Sequence, residues 1–249
     1  MIHDPAFWIV TIFAVILVGL GKGGLAGLGA LATPFMALAM PPMQAAAILL
    51  PILLVQDVVS VWSFRKSWNG WIIAWMLPGA LAGVGIGYLF SASLSVRAVM
   101  ATLGAITLGF GLYRLWVERG GRFVAASTSP GWVGSLFGVA TGFASHIAHA
   151  GGPPLQMWVT PRKLPHETYL GTASIIFAVV NWAKVPAYAA LGEFSTDILV
   201  TSAIMVPLAI ASTLAGVWII RRIRTRAFYT LVYAMMVLLG GKLIWDALA

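Results

Sequence analysis

The sequence predicts an all-α, polytopic membrane protein made of two inverted repeats, each one interrupted (re-entrant) hairpin plus three transmembrane helices. Three observations carry that prediction. Of 249 residues, 60% are hydrophobic and only 9% charged, against about half and about a quarter in soluble domains. Apolar runs recur along the whole chain, and about 20 helical residues suffice to cross a hydrocarbon core of about 30 Å. Glycine-rich and polar stretches break two of these runs at corresponding places, a pattern that marks paired repeats.

Each element follows from where the apolar runs stop. The first runs from about Ala6 to Ala39 and is interrupted by Gly-Lys-Gly-Gly-Leu-Ala-Gly-Leu-Gly at 21–29, a stretch that cannot hold a regular helix together. Helices are expected near 43–64, 71–91 and 96–116, then a second interrupted segment over 131–160, then helices near 167–191, 197–220 and 227–248. Met1 to Pro5 brings no basic n-region and no small-residue cleavage site follows, so an uncleaved N-terminus is expected. The chain reads as a single transmembrane domain over 1–249, with repeat one at about 6–119 and repeat two at about 130–249.

The repeats show as matches at a constant offset. At 123 residues, Gly19 meets Gly142, Gly29 meets Gly152 and Pro42 meets Pro165. At 129, Pro78 meets Pro207, Gly87 meets Gly216, Arg97-Ala98 meets Arg226-Ala227, Gly111 meets Gly240 and Trp116 meets Trp245.

Charge then chooses the topology. Fifteen Lys and Arg against seven acids give a formal charge of +8, which here reports loop orientation rather than nucleic-acid binding. If both interrupted segments cross the membrane, basic loop residues fall on both faces. If both enter and return on one side, then Arg65, Lys66, Arg114, Arg119, Arg122, Arg162, Lys163, Arg221, Arg222, Arg224 and Arg226 share a face. Arg97 is left opposite with Asp4, Glu193 and Asp197. The re-entrant arrangement satisfies the positive-inside rule, places the basic loops in the cytoplasm of a bacterial-type inner membrane, and makes the repeats inverted. The eleven Trp fit membrane interfaces.

Three ionisable residues fall inside predicted spans: Lys22, Asp57 and Lys184. A charge at mid-bilayer costs about 2.5–3.5 kcal/mol on insertion scales, so such groups face a cavity or a partner. Lys22 stands in the first break. The 123-residue offset sets Ser145, His146 and His149 opposite Lys22, Gly23 and Ala26. Half-helix N-termini at the breaks offer N–H groups and partial positive charge, which suit an anion. A cation site wants carboxylates, and only Asp57 is at hand.

The substrate-binding candidates are therefore Lys22, Gly23, Gly24, His146, His149, Gly151, Gly152, Asp57, Asn181, Thr172 and Ser174. Gln44, Gln56 and Gln156 are further path-lining or inter-helix candidates. Competing readings exist for several: Lys22 and Lys184 can snorkel to an interface, Asp57 can simply neutralise Lys22, and Gly83 and Gly87 read as close helix packing. His146-x-x-His149 has metal-ligand spacing, but cysteine is absent and no acid lies nearby, so structural histidines are favoured over a metal site.

Two sets of residues resemble the sulfite exporter TauE/SafE family of membrane permeases. In the first half they are Gly21 to Gly29, Thr33-Pro34, Pro41-Pro42 and the helix from Ala45; in the second, Gly151-Gly152, Pro153-Pro154, Pro165 and Gly171-Thr172-Ala173-Ser174. The first-half counterpart of that last run, Ile48 to Pro51, carries no hydroxyl. The resemblance covers nearly the whole chain and implies export of sulfite, organosulfonates or other sulfur anions; the paired breaks add the expectation of a secondary carrier working by alternating access at a midplane site.

A divalent-cation transporter using His146, His149 and Asp57 is the main alternative, and a non-transporting membrane subunit a lesser one. No Gly-x-Ser-x-Gly or His-Glu-x-x-His motif argues for an enzyme. The expected partners are a small anion and the lipid bilayer, with no cofactor, no metal and no nucleic acid. A homo-oligomer is compatible with the sequence.

Overall fold

The computed structural model describes residues 5–25, 27–122, 125–220 and 226–249, with only the backbone of 220 and 226–229 described. Asp4, Ala26, Arg221, Arg222 and Arg224, used in the sequence reading, lie outside the described residues, as does the side chain of Arg226.

The described chain is helical: α1 (Pro5–Lys22), α2 (Ala32–Met36), α3 (Pro42–Phe64), α4 (Gly70–Ser93), α5 (Val96–Glu118), α6 (Gly131–Ala148), α7 (Gly152–Val159), α8 (His166–Ala190), α9 (Thr196–Ile220) and α10 (Arg226–Leu248). Single 3-10 turns occupy Leu28–Leu31 and Thr160–Arg162. Seven helices are long and apolar enough to cross a bilayer: α1, α3, α4, α5, α8, α9 and α10. The protein is thus an all-α polytopic membrane protein. Helix starts are set locally: the Asn69 side chain accepts from the Ile72 N–H at 3.1 Å, Ser95 from the Ala98 N–H at 3.3 Å, and Pro42 opens α3 where its missing N–H costs nothing.

Both interrupted segments double back. In the first, Gly29 lies beside Val18 and the Phe35 ring is 5.0 Å from that of Phe13, so the chain retraces α1 in the opposite sense. In the second, Trp158 Nε1 donates to Ser129 Oγ at 3.1 Å and Arg162 Nη2 to the Ser129 carbonyl at 2.7 Å. The chain therefore returns to the entrance of α6. α3 and α8 run antiparallel, since the Asn69 N–H just after α3 meets Thr172 Oγ1 early in α8, while Asp57 meets Asn181 further along it.

The hairpins pack on helices from the other half. α1 lies on α9 and α6 on α4, while α3 also packs on α9 and α8 on α4; α5 pairs with α10. Small residues make this close approach feasible. A Cβ on Gly142 would sit 1.9 Å from the Ala80 carbonyl, and one on Gly79 2.0 Å from that of Ser135. On the opposite hairpin, a Cβ on Gly19 would sit 1.9 Å from Ser212 Oγ. Gly83 and Gly87 belong to the α4–α6 seam, against Val139 and His146.

Two separate apolar cores result. One joins Ile72, Met76, Ala80 and Val84 of α4 to Leu155, Trp158 and Val159 of α7 and Ile176 and Val180 of α8. The other takes in α1, α2, α3, α5, α9 and α10, together with Ile147 and Ala148 at the end of α6, Ala150, and Tyr188 of α8. Most Trp side chains, Trp62, Trp182 and Trp245 among them, point outward, whereas Trp158 is fully buried beneath the Arg162 guanidinium.

Candidate functional site

The site forms where the two breaks meet. In the first, Gly24 (φ 126°) and Gly27 (φ 98°) turn the chain through conformations closed to other residues. Lys22 is the last residue of α1. Its carbonyl accepts from Ser60 Oγ at 3.1 Å, and its ammonium pairs with Asp57, 5.1 Å from the Phe177 ring centre. The other Asp57 oxygen accepts from Asn181 Nδ2 at 2.6 Å. Lys22 therefore does not snorkel: its side chain is 13% exposed and that of Asp57 2%.

In the second break, His149 ends α6 in the left-handed conformation (φ 51°). Its Nε2 donates to the Ala46 carbonyl on α3 at 2.8 Å, and its Nδ1 lies 2.7 Å from Lys184 Nζ. Lys184 also donates to the Ser145 carbonyl at 3.1 Å and to Ser145 Oγ at 3.2 Å. Tyr188 donates to the His146 carbonyl at 2.7 Å. α8 thus takes up the His146 carbonyl at the end of α6 and gives the Ser145 carbonyl a second donor beside the His149 N–H at 3.1 Å. The snorkelling alternative for Lys184 does not hold either: its side chain is completely buried, because the broken end of α6 draws it inward.

Between the breaks lies a cavity of about 110 Å³. The first break contributes Lys22, Gly24 and Gly27 to its wall; the second Ser145, His149, Gly152 and Gln156; α8 Tyr169, Ser174, Phe177 and Asn181. Among the sequence candidates, Lys22, Gly24, His149, Gly152, Ser174 and Asn181 are therefore brought together. Asp57 stands behind Lys22. Gly23 packs on Gly216 of α9, and Gly151 against the Thr141 carbonyl. Thr172 lies early in α8 between the lining residues Leu170 and Ala173, but its hydroxyl is turned to the Asn69 N–H, from which it accepts, and to the Thr168 carbonyl, to which it donates. His146 faces Gly87 and the edge of Tyr188 rather than the cavity.

The breaks offer fewer backbone donors than half-helix N-termini would suggest. α1 and α6 reach the site with their C-terminal ends, and in the first turn of α7 Gly152 is followed by Pro153 and Pro154, which have no N–H. Positive charge at the cavity must come from side chains.

One such side chain escapes the sequence reading. Arg114, expected in a loop, lies within α5, where Nη1 donates to Gln156 Oε1 at 3.1 Å and the guanidinium sits 4.8 Å from the Tyr233 ring centre. Its Nε is buried without a hydrogen-bond partner among the described residues. The sequence signal was that the helix expected near 96–116 already contains Arg114; in the structure α5 runs on to Glu118, which moves Arg114 further inward from the helix end. Tyr169 and Phe177 carried no signal.

The geometry does not favour a divalent cation. Both His149 nitrogens and both Asp57 oxygens are engaged by other partners. No group of three or more metal-ligating side chains occurs among the described residues.

The family model described as sulfite exporter TauE/SafE matches residues 11–243. No curated protein and no solved structure matches the chain.

Proposed function

The chain belongs to the sulfite exporter TauE/SafE family, whose members are membrane transporters rather than enzymes, and from that premise we propose that it exports a small sulfur-containing anion, sulfite or an organosulfonate, as a secondary carrier. The observation that carries this reading is the cavity walled by both interrupted hairpins, with the Lys22 ammonium and the His149 ring on its surface. A site of this kind, at the meeting point of two broken segments, is where secondary transporters hold their substrates. In the proposed complex Lys22, His149, Ser174 and Asn181 hold the anion, and Gly24 and Gly152 let the backbone come close.

The halves are read as inverted repeats. In support, α3 and α8 are antiparallel, and Lys22 and Ser145, related by the 123-residue offset, both give their carbonyl to a side chain of the following long helix. Alternating access is proposed to run along the boundary between the two apolar cores, not between the sequence halves, because α4 and α9 are exchanged. The basic loops are assigned to the cytoplasmic side of a bacterial inner membrane on the positive-inside rule.

Counterflow in reconstituted vesicles tests the assignment. Vesicles preloaded with sulfite, short sulfonates or carboxylates are expected to accumulate labelled substrate when loaded with a sulfur anion, and Lys22→Met is expected to abolish this. Equal counterflow with carboxylates alone, or normal rates in Lys22→Met, would overturn it.

A further inference from the structure

Lys22 cannot supply the net positive charge that an anion needs, since Asp57 neutralises it. Lys184 can. It is fully buried, and no carboxylate lies within ion-pair distance of it among the described residues. Resting on the anion-carrier reading, we propose that the counter-charge of the site is one proton shared between Lys184 and His149, and that the anion and this proton bind together.

The hydrogen bonds dictate the sharing. A carbonyl only accepts, so the bond to Ala46 fixes a hydrogen on His149 Nε2. Nδ1 then presents a lone pair, and Lys184 Nζ, 2.7 Å away, donates to it. With one proton added, the pair is an ammonium donating to a neutral ring and to both Ser145 oxygens, or an imidazolium donating to a neutral amine; with none added, the amine has two hydrogens and the Ser145 hydroxyl donates to its lone pair. A second added proton would set two donors face to face with no acceptor between them. The pair therefore carries one extra proton or none.

The surroundings leave that choice to the ligand. From α1, Lys22 acts on Lys184, and from α3 Asp57, whose two oxygens already serve Lys22 and Asn181. From α6 come Ser145, which accepts from Lys184, and His146, whose ring nitrogens have no hydrogen-bond partner among the described residues. On α8 itself Tyr188 is committed to the His146 carbonyl. α4, which also packs on α8, carries a single titratable side chain, Tyr88. Nothing in this shell balances a proton on the pair. An uncompensated buried charge is costly, and the missing counter-charge is an anion in the cavity, which His149 and Ser145 wall directly. Coupling is reciprocal, so each ligand tightens the binding of the other. Lys184 acts here as a positioning residue, one hydrogen bond behind the wall.

The test is calorimetric binding of methanesulfonate, ethanesulfonate and sulfite to the purified protein in buffers of different ionisation enthalpy, across a pH series. The sulfonates stay ionised throughout, so any proton taken up goes to the protein. The expected result is uptake of one proton per sulfonate, with affinity falling about tenfold per pH unit across the uptake range. His149→Gln keeps both hydrogen bonds, through its amide N–H and carbonyl, and is expected to move that pH range by at least one unit. Lys184→Gln/His149→Gln is expected to lose uptake altogether. Sulfonate binding by the native chain without proton uptake overturns the inference and leaves the anion reading intact, as does an unmoved pH range in His149→Gln. Failure to bind any of the three anions removes the anion reading itself.

Discussion

The Lys22 ammonium and the Asp57 carboxylate form an ion pair at the cavity wall, and the Asn181 amide closes it from α8 at 2.6 Å. Three elements that never neighbour one another in sequence are tied through one carboxylate: the end of α1, the middle of α3 and the middle of α8.

Breaking that pair leaves a nearly buried charge. Removing one partner of a buried pair costs about 3–5 kcal/mol, whereas removing both together costs much less. Because Lys22 reaches the cavity, the lower figure applies. Lys22→Met and Asp57→Leu are each expected to lose about 3 kcal/mol in reversible unfolding from detergent, and the double variant no more than either alone, short of their sum by about 3 kcal/mol. Additive losses would show that the pair does not act as a unit.

The helix seams separate glycines that matter from those that do not. A Cβ at Gly142 would lie 1.9 Å from the Ala80 carbonyl, and backbone cannot yield as a flexible side chain can. Gly142→Ala should force α4 and α6 apart and cost about 3 kcal/mol or more, the upper end of overpacking losses. At Gly85 and Gly109 a Cβ would meet nothing within 4 Å. Alanine there is expected to be neutral or stabilising by up to about 1 kcal/mol. Thermal stability of the three variants in one detergent provides the comparison.

The two histidines of the second break should part company. His149 holds a carbonyl and an amine and lines the cavity, while the His146 ring is fully buried with neither nitrogen hydrogen-bonded among the described residues. Replacing an unsatisfied buried polar group by an apolar one of similar size is neutral or stabilising. His146→Leu is expected to keep transport and match or exceed native stability, and His149→Leu to lose transport. Loss of transport in His146→Leu with an intact fold would return His146 to the site.

The contrast between these histidines shows where the sequence stops being informative. Element bounds are legible because Pro, Gly and Asn interrupt apolar runs: the stretch expected near 43–64 is helical over Pro42–Phe64, and that near 227–248 over Arg226–Leu248. The breaks are legible because glycine and Lys22 have no other reason to interrupt a span. Side-chain direction is not. His146 and His149 share a helix face only while α6 remains helical, and the left-handed turn at His149 sends its ring elsewhere. Nor does local pattern reveal that α1 packs on α9 and α6 on α4, since that exchange depends on contacts far apart in the chain. Lys184 and Arg114 look like helix-end residues until the hairpins are in place to receive them.

Outside the spans, Glu193 titrates against burial. The turn after α8 half-buries its carboxyl and raises it above the usual value of 4.5. The folded chain then binds that proton more tightly than the unfolded chain. Its contribution to stability is full below the unfolded value and is lost as pH climbs through 4.5 towards the raised folded value. Glu193→Gln removes this loss. Relative to the native chain, the variant's Tm is expected to rise as pH climbs above 4.5; a constant difference would mean the carboxyl is not perturbed.

Arg114 is expected to set affinity from a distance. No ion pair holds its guanidinium among the described residues, and its two contacts, the Gln156 carbonyl oxygen and the Tyr233 ring, do not cancel its charge. Gln156 is itself part of the cavity wall. At a separation of about 10 Å and an effective dielectric of about 20, one such charge favours a monovalent anion by about 1.7 kcal/mol. Arg114→Gln should therefore raise KM for the exported anion about tenfold or somewhat more in reconstituted vesicles, with kcat changing less. Arg114→Lys keeps the charge but gives up the planar fork that reaches Gln156 while lying over Tyr233, so its KM should fall between the two. An unchanged KM in Arg114→Gln would reduce the residue to a strut between α5 and α7, leaving the proton shared by Lys184 and His149 as the counter-charge.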